Sequence, residues 1–153
     1  MNIQQHLEFL LQEGPVSVFC CDPYTWTPNY VSNNIEMISG YPVQDFFARP
    51  QLWVEVIHAD DRQRVLRDFE SLKDRKSDAR VVFEYRIWHA SGRIVHVHIE
   101  ANLVRDEAGN PLEVMGFLFD LTQTIQAKRD LERQKDLLED ANESLEQFVY
   151  VAS

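Results

Sequence analysis

The spacing of apolar residues along this chain changes period several times, and each change marks an element. Over 3–12, Ile3, Leu7, Leu10 and Leu11 recur at helical spacing, and Gly14-Pro15 predicts the end of that helix. VSVFCC (16–21) reads as a buried strand and TWTPNYVS (25–32) as a second, joined by a turn at Asp22-Pro23. Pro28 suits an edge strand, because proline donates nothing to a ladder. Asn33 and Asn34 predict the cap of a short helix ending near Gly40, followed by the helical pieces VQDFFA and PQLWVEVI. In the stretch 58–74, Val65, Leu66, Phe69 and Leu72 share one helical face, with acids in the first turn where the helix dipole favours them.

The period then drops to two. RVVFEYRIWH (80–89) alternates, Ser91-Gly92 turns, and RIVHVHIEANLV (93–104) alternates cleanly. Val95, Val97, Ile99 and Ala101 fall on one face of it, and His96, His98, Glu100 and Asn102 on the other. DEAGNP (106–111) predicts a second turn and LEVMGFLFDLT (112–122) the last strand. Two strands, several short helices and three more strands predict an α+β domain, with a five-stranded antiparallel sheet and helices over one face.

Past residue 122 the pattern changes again. All five Gly and all six Pro precede it, so 123–153 reads as one long helix of about 46 Å. Leu131, Leu138, Leu145 and Ala152 recur every seven residues, with Ala141 and Phe148 interleaved and Gln134 interrupting the seam. A narrow apolar seam with charged flanks predicts a parallel coiled coil between two chains. The plainer alternative is an amphipathic helix folded back on its own domain, but a narrow seam covers a broad sheet poorly. The expected organisation is a flanking helix (1–14), a domain (15–122) and a coiled-coil helix (123–153).

Charge and cysteine content narrow the function. The net charge is −10; residues 1–122 carry 11 basic and 18 acidic side chains (−7), and 123–153 carry 4 and 7 (−3). That balance argues against a nucleic-acid partner or an anionic membrane, both of which need a cationic face. The two cysteines are neighbours, Cys20 and Cys21, and an ordinary disulfide between them is sterically poor. No signal peptide and no long apolar run is visible, so a cytoplasmic location is expected.

Several segments together resemble one family. Gly40-Tyr41 after the short helix, HADDR (58–62), EYRIWHASGR (84–93), the DEAGNP turn and the closing GFLFDLT are similar to PAS domains of the common sensor type. Asp120-Leu121-Thr122 matches the family's D-[IL]-T signature, where the domain hands over to its output helix. The resemblance implies a sensory, dimerising module with a pocket between sheet and helices. LEQFVYVAS (145–153) further resembles the opening of the phosphoacceptor helix of histidine kinases, which runs on into S-H-[DE]-L-x-x-P. The sequence ends at Ser153, before that His, and contains no Gly-rich phosphate loop. The expectation is therefore a non-catalytic segment of a kinase, a homodimer whose response regulator is met by the kinase part. Rival readings are a PAS module for another output such as a diguanylate cyclase, a ligand-free dimeric spacer, and a small cone-shaped α+β enzyme. The last needs an acid or base inside its pocket.

The candidate sites follow. Phe83, Tyr85, Ile87, Val95, Val97, Ile99, Val114 and Leu118 should face the helices and line any pocket, though such a face is more often plain core. Flavin-binding relatives carry amides there and a reactive Cys in N-C-R-F-L-Q; this chain has neither. Haem-binding relatives place a His in the long helix, and 61–75 contains none, so no cofactor is expected. Asp120, Leu121 and Thr122 are the expected signal relay, with Arg86 or Arg93 a partner for Asp120. His96 and His98 share a strand face about 7 Å apart, where solvent- or partner-facing histidines are commoner than a metal site. His58 beside Asp60 and Asp61 suits a helix start better than a catalytic pair. Cys20 and Cys21 on a core strand should be inert.

Overall fold

The computed structural model describes residues 2–74 and 80–152, so Ser153, the last residue of the kinase-like segment, lies outside the described residues. The chain divides after Leu121 into two units.

In the first unit, helix α1 (Ile3–Glu13) opens with a reciprocal cap between Asn2 and Gln5 and closes as Gly14 N–H donates to the Leu10 carbonyl. It buries no residue, and Ile3, Leu7 and Leu10 stay exposed. The strands are β1 (Val16–Cys21), β2 (Pro28–Val31), β3 (Val81–Trp88), β4 (Ile94–Arg105) and β5 (Pro111–Asp120). They form one antiparallel sheet in the order β2-β1-β5-β4-β3. Pro28 does lie on an edge strand, as a residue without an N–H must. Between β2 and β3 come α2 (Ile35–Ser39), α3 (Val43–Ala48), α4 (Leu52–Glu55) and α5 (Ala59–Ser71), the last running into a 3-10 turn at Leu72–Asp74.

The alternation in β3 and β4 works as the sequence predicts. Val81, Phe83, Tyr85 and Ile87 are buried, and so are Val95, Val97, Ile99 and Ala101 opposite them. Val65, Phe69 and Leu72 of the α5 region join the same core, whereas Leu66 is only half-buried. Gly116 of β5 sits where the Phe19 ring crosses the sheet; a Cβ there would lie 2.7 Å from both Phe19 Cζ and the Glu100 carbonyl oxygen.

Two elements differ from expectation. The second strand is half as long, because 22–27 form a turn: the Asp22 carboxylate accepts from the N–H groups of Tyr24 and Thr25, and Trp26 N–H donates to the Asp22 carbonyl. Asn34 does precede α2, but its side chain makes no cap there. Its amide instead reaches the carbonyls of Leu10, Gly14 and Val16, at the end of α1 and the start of β1. It caps the C-terminal end of one helix rather than the N-terminal end of the next.

The free edge of β3 is covered by the HADDR segment. His58 N–H donates to the Arg86 carbonyl, Trp88 N–H to the Val56 carbonyl, and Ile57 bridges Ile87. Asp61 accepts from the Arg86 backbone and, through both oxygens, from its guanidinium at 2.8–2.9 Å. An edge strand satisfied in this way has few groups left to template another chain. The Arg86 hydrogen bonds, helped by the Arg86 charge, hold the Asp61 carboxyl well below the usual carboxylate range despite partial burial. A depressed folded-state pKa stabilises above the ordinary aspartate value and is lost as pH falls below it. Asp61→Ala is therefore expected to cost about 2–3 kcal/mol near pH 7 and progressively less as pH falls below 4, read by urea denaturation at several pH values. Equal costs at pH 7 and pH 3 would contradict this.

The second unit is a single helix, α6 (Thr122–Ala152) of 31 residues, with no buried residue. Leu131, Leu138, Leu145 and Phe148 are 61–71% exposed, and Gln134, Ala141 and Ala152 are exposed beside them. Among the described residues no helix is long and apolar enough to cross a membrane.

Candidate functional site

A cavity of about 110 Å³ lies between the sheet and the helices. Tyr85, Ile87, Val97, Ile99 and Leu118 of β3, β4 and β5 form its floor; Phe83, Val95 and Val114 are buried without lining it. Alternation places these side chains inward, and cross-strand pairing sets Tyr85 opposite Val97 and Ile99 opposite Leu118. The other walls come from β1 (Phe19, Cys20, Cys21), β2 (Val31) and the helices (Ile35, Phe46, Trp53, Phe69), with Val56 just past α4.

Trp26 completes the wall, and sequence reading misses it by placing it in a strand. It occupies the β1–β2 turn with φ +59°, an unusual conformation for a bulky residue. Its ring meets Phe69 edge-on at 5.4 Å and Trp53 at 6.3 Å, and its indole N–H donates to Glu70 at 2.5 Å. Lys73 pairs with Glu70 at 2.9 Å and stands over the Trp26 and Tyr24 rings. The Asx turn at Asp22 was the available signal, since it leaves no room for a longer strand. Strain of this kind persists only where surrounding contacts impose it, here the aromatic cluster and Glu70.

Among the described residues no Asp, Glu, Lys, Arg or His lines the cavity. Burial pushes the Tyr85 phenol well above its ordinary value, so it remains a neutral O–H. The Cys21 thiol is pushed up to about 12 by burial and by neighbouring acidic groups, and Cys20 is raised by burial and Glu113. Both thiols stay protonated at neutral pH, which makes them poor nucleophiles. The chemistry the described lining offers is contact with apolar matter.

The histidines have structural neighbours. His58 caps α5, its Nδ1 accepting from Asp60 N–H, and stacks on Trp88. His98, on the sheet face opposite the cavity, stacks on Phe119 and bonds Glu84 at 2.9 Å and Glu100 at 3.2 Å. Burial disfavours its charged form, but these two carboxylates outweigh that and raise its pKa. Among the described residues no three His, Cys, Asp or Glu side chains gather as a metal site would require.

The relay residues sit at the end of β5. Asp120 is opposite Val97, Leu121 N–H extends the ladder to the His96 carbonyl at 2.7 Å, and Thr122 opens α6. Of the two arginines considered as partners for Asp120, Arg86 is committed to Asp61. Arg93 and Asp120 act with opposite sign on His89, whose pKa is lowered chiefly by burial. Gly40, φ +78°, lets that His89 ring approach: a Cβ at Gly40 would lie 2.5 Å from its Cε1.

Three comparisons bear on this arrangement. A family model described as PAS fold matches residues 28–118. A methyl sulfide methyltransferase-associated sensor from Methanosarcina acetivorans is 29% identical over 145 residues, 91% of this chain but only 14% of the relative's length. Among solved structures, a sensory box histidine kinase/response regulator from Burkholderia thailandensis superposes with TM-score 0.64 at 21% identity, covering 88% of this chain and 98% of that one. The N-terminal domain of a diguanylate cyclase with PAS/PAC sensor from Marinobacter aquaeolei gives 0.63 at 22%, covering 71% and 97%.

Proposed function

Because this chain belongs to the PAS family, whose domains are non-catalytic sensor modules, we propose that it serves a two-component histidine kinase, sensing in the first unit and relaying through α6. In this reading the occupancy of the core cavity biases two packings of the sheet. The bias passes along β5 to Asp120, Leu121 and Thr122, and α6 carries it as a rotation or register shift of a parallel pair. A differential interaction of a few kcal/mol suffices for such a shift. The observation that carries the proposal is continuity: β5 forms part of the cavity floor at Leu118 and leads within four residues into a 31-residue helix with an exposed heptad seam. The resemblance of LEQFVYVAS to a phosphoacceptor opening favours a kinase over a cyclase.

The test is the product formed by the protein that carries this segment. With labelled ATP, an acid-labile, base-stable phosphoryl group on histidine is expected. A cyclic dinucleotide made from GTP would instead establish the diguanylate cyclase output. Within the same assay, Asp120→Ala is expected to leave the sensor folded while reducing the signal-dependent change in output about fivefold or more, the equivalent of ~1 kcal/mol of coupling. An unchanged response would remove Asp120 from the relay.

A further inference from the structure

Resting on the reading of the core cavity as the sensing site, we infer that it takes a small uncharged, carbon-rich molecule bearing one oxygen, which the Tyr85 hydroxyl recognises. The first observation is the lining. An ion placed among Ile87, Ile99, Phe69 and Leu118, with no charged side chain among the described residues of the cavity wall, would lack a partner there, which argues against carboxylates, phosphates and amines. The second is size. About 110 Å³ approaches the roughly 150 Å³ apolar cavity that accepts benzene, and sets the scale at one six-membered ring or a short chain.

The third observation is Tyr85 itself. The residue is only 8% exposed and lines the cavity, and its hydroxyl, unlike Arg62 Nε, is not a sealed-off polar atom, so it opens on the cavity. Two other polar side chains of the wall are already used. Ser39 Oγ donates to the Ile35 carbonyl, and the Trp26 indole N–H is held by Glu70. A hydroxyl that opens on apolar walls gains from a ligand oxygen the hydrogen bond those walls do not supply. Water fills that role poorly, because an ordered water needs two to four polar partners.

The experiment is an NMR titration of the 153-residue chain with three probes of similar size: benzene, phenol and benzoate. Phenol is expected to bind roughly fivefold more tightly than benzene, the value of one net hydrogen bond. Benzoate is expected not to bind. In Tyr85→Phe the preference for phenol disappears while benzene binding persists. Should that variant fail to fold, the wild-type Tyr85 ring carbon bearing the hydroxyl reports instead: its shift moves with phenol and not with benzene. Equal affinities for phenol and benzene, a preference that survives Tyr85→Phe, binding of benzoate, or no binding of any probe would overturn the inference. These readouts involve no kinase step, so a cyclic dinucleotide product from the parent protein would change the assigned output and leave the ligand class standing.

Discussion

Replacing Asn34 with alanine is expected to destabilise the globular unit by about 3–5 kcal/mol, more than any other polar substitution considered above. The residue is 1% exposed, and its amide serves three carbonyls at 2.6–3.2 Å, those of Leu10, Gly14 and Val16. Its oxygen accepts from Ser32 Oγ at 2.6 Å, which in turn meets Ser17 Oγ and accepts from Val18 N–H. Ser17 and Ser32 are as buried as Asn34. Truncation leaves several of these groups unpaired in the interior, where each retains most of its desolvation penalty. The check is urea denaturation: the midpoint should fall with an unchanged slope. Ser32→Ala combined with Asn34→Ala should cost clearly less than the sum of the two, because both remove the same network. A loss under 1 kcal/mol for Asn34→Ala would show that α1 and β1 are held by other contacts.

The second large effect concerns α6. Leu138→Lys together with Leu145→Lys is expected to weaken self-association of the chain by at least roughly 100-fold, because each substitution sets an ammonium group in the centre of the proposed seam. Both leucines are more than three-fifths exposed in the single chain, so the change costs the isolated helix little. Sedimentation velocity reads the loss, and circular dichroism of the β-rich unit confirms that its fold is retained. Unchanged association would place the dimer contact elsewhere.

The parts of the fold that repeat locally were legible in the sequence. Period-two alternation in 81–88 and 94–105 identifies the buried face residue by residue, because a strand side chain can point only two ways. The end of Gly and Pro use coincides with the start of α6 for the same reason: a helix of 31 residues tolerates neither in its interior. What was not legible depends on partners distant in sequence. Asn34 has the residue type of a helix cap, and the local rule was overruled by carbonyls 18–24 residues away. Arg86 was free to serve Asp120 on sequence grounds until the fold brought Asp61, 25 residues earlier, into a bidentate contact along one edge of its guanidinium. Trp26 read as part of a strand, because nothing in TWTPNY announces a left-handed backbone or a bond to Glu70, 44 residues on. Seven of the seventeen residues that line the cavity belong to this class: the sheet floor follows from alternation, while the helical and turn walls follow only from packing.

The proposed relay depends on two copies of α6 pairing in parallel and in register. Leu131, near the start of the seam, tests it, since an antiparallel pair would set it against the far end of the partner helix. Leu131→Cys is introduced with Cys20→Ser and Cys21→Ala removing the native thiols, and the protein is oxidised and run under denaturing, non-reducing conditions. Parallel pairing brings the two new thiols within the few ångströms that a disulfide requires. The account predicts a covalent species of about 36 kDa, twice the 18.0 kDa chain; a chain that stays at 18.0 kDa would contradict it.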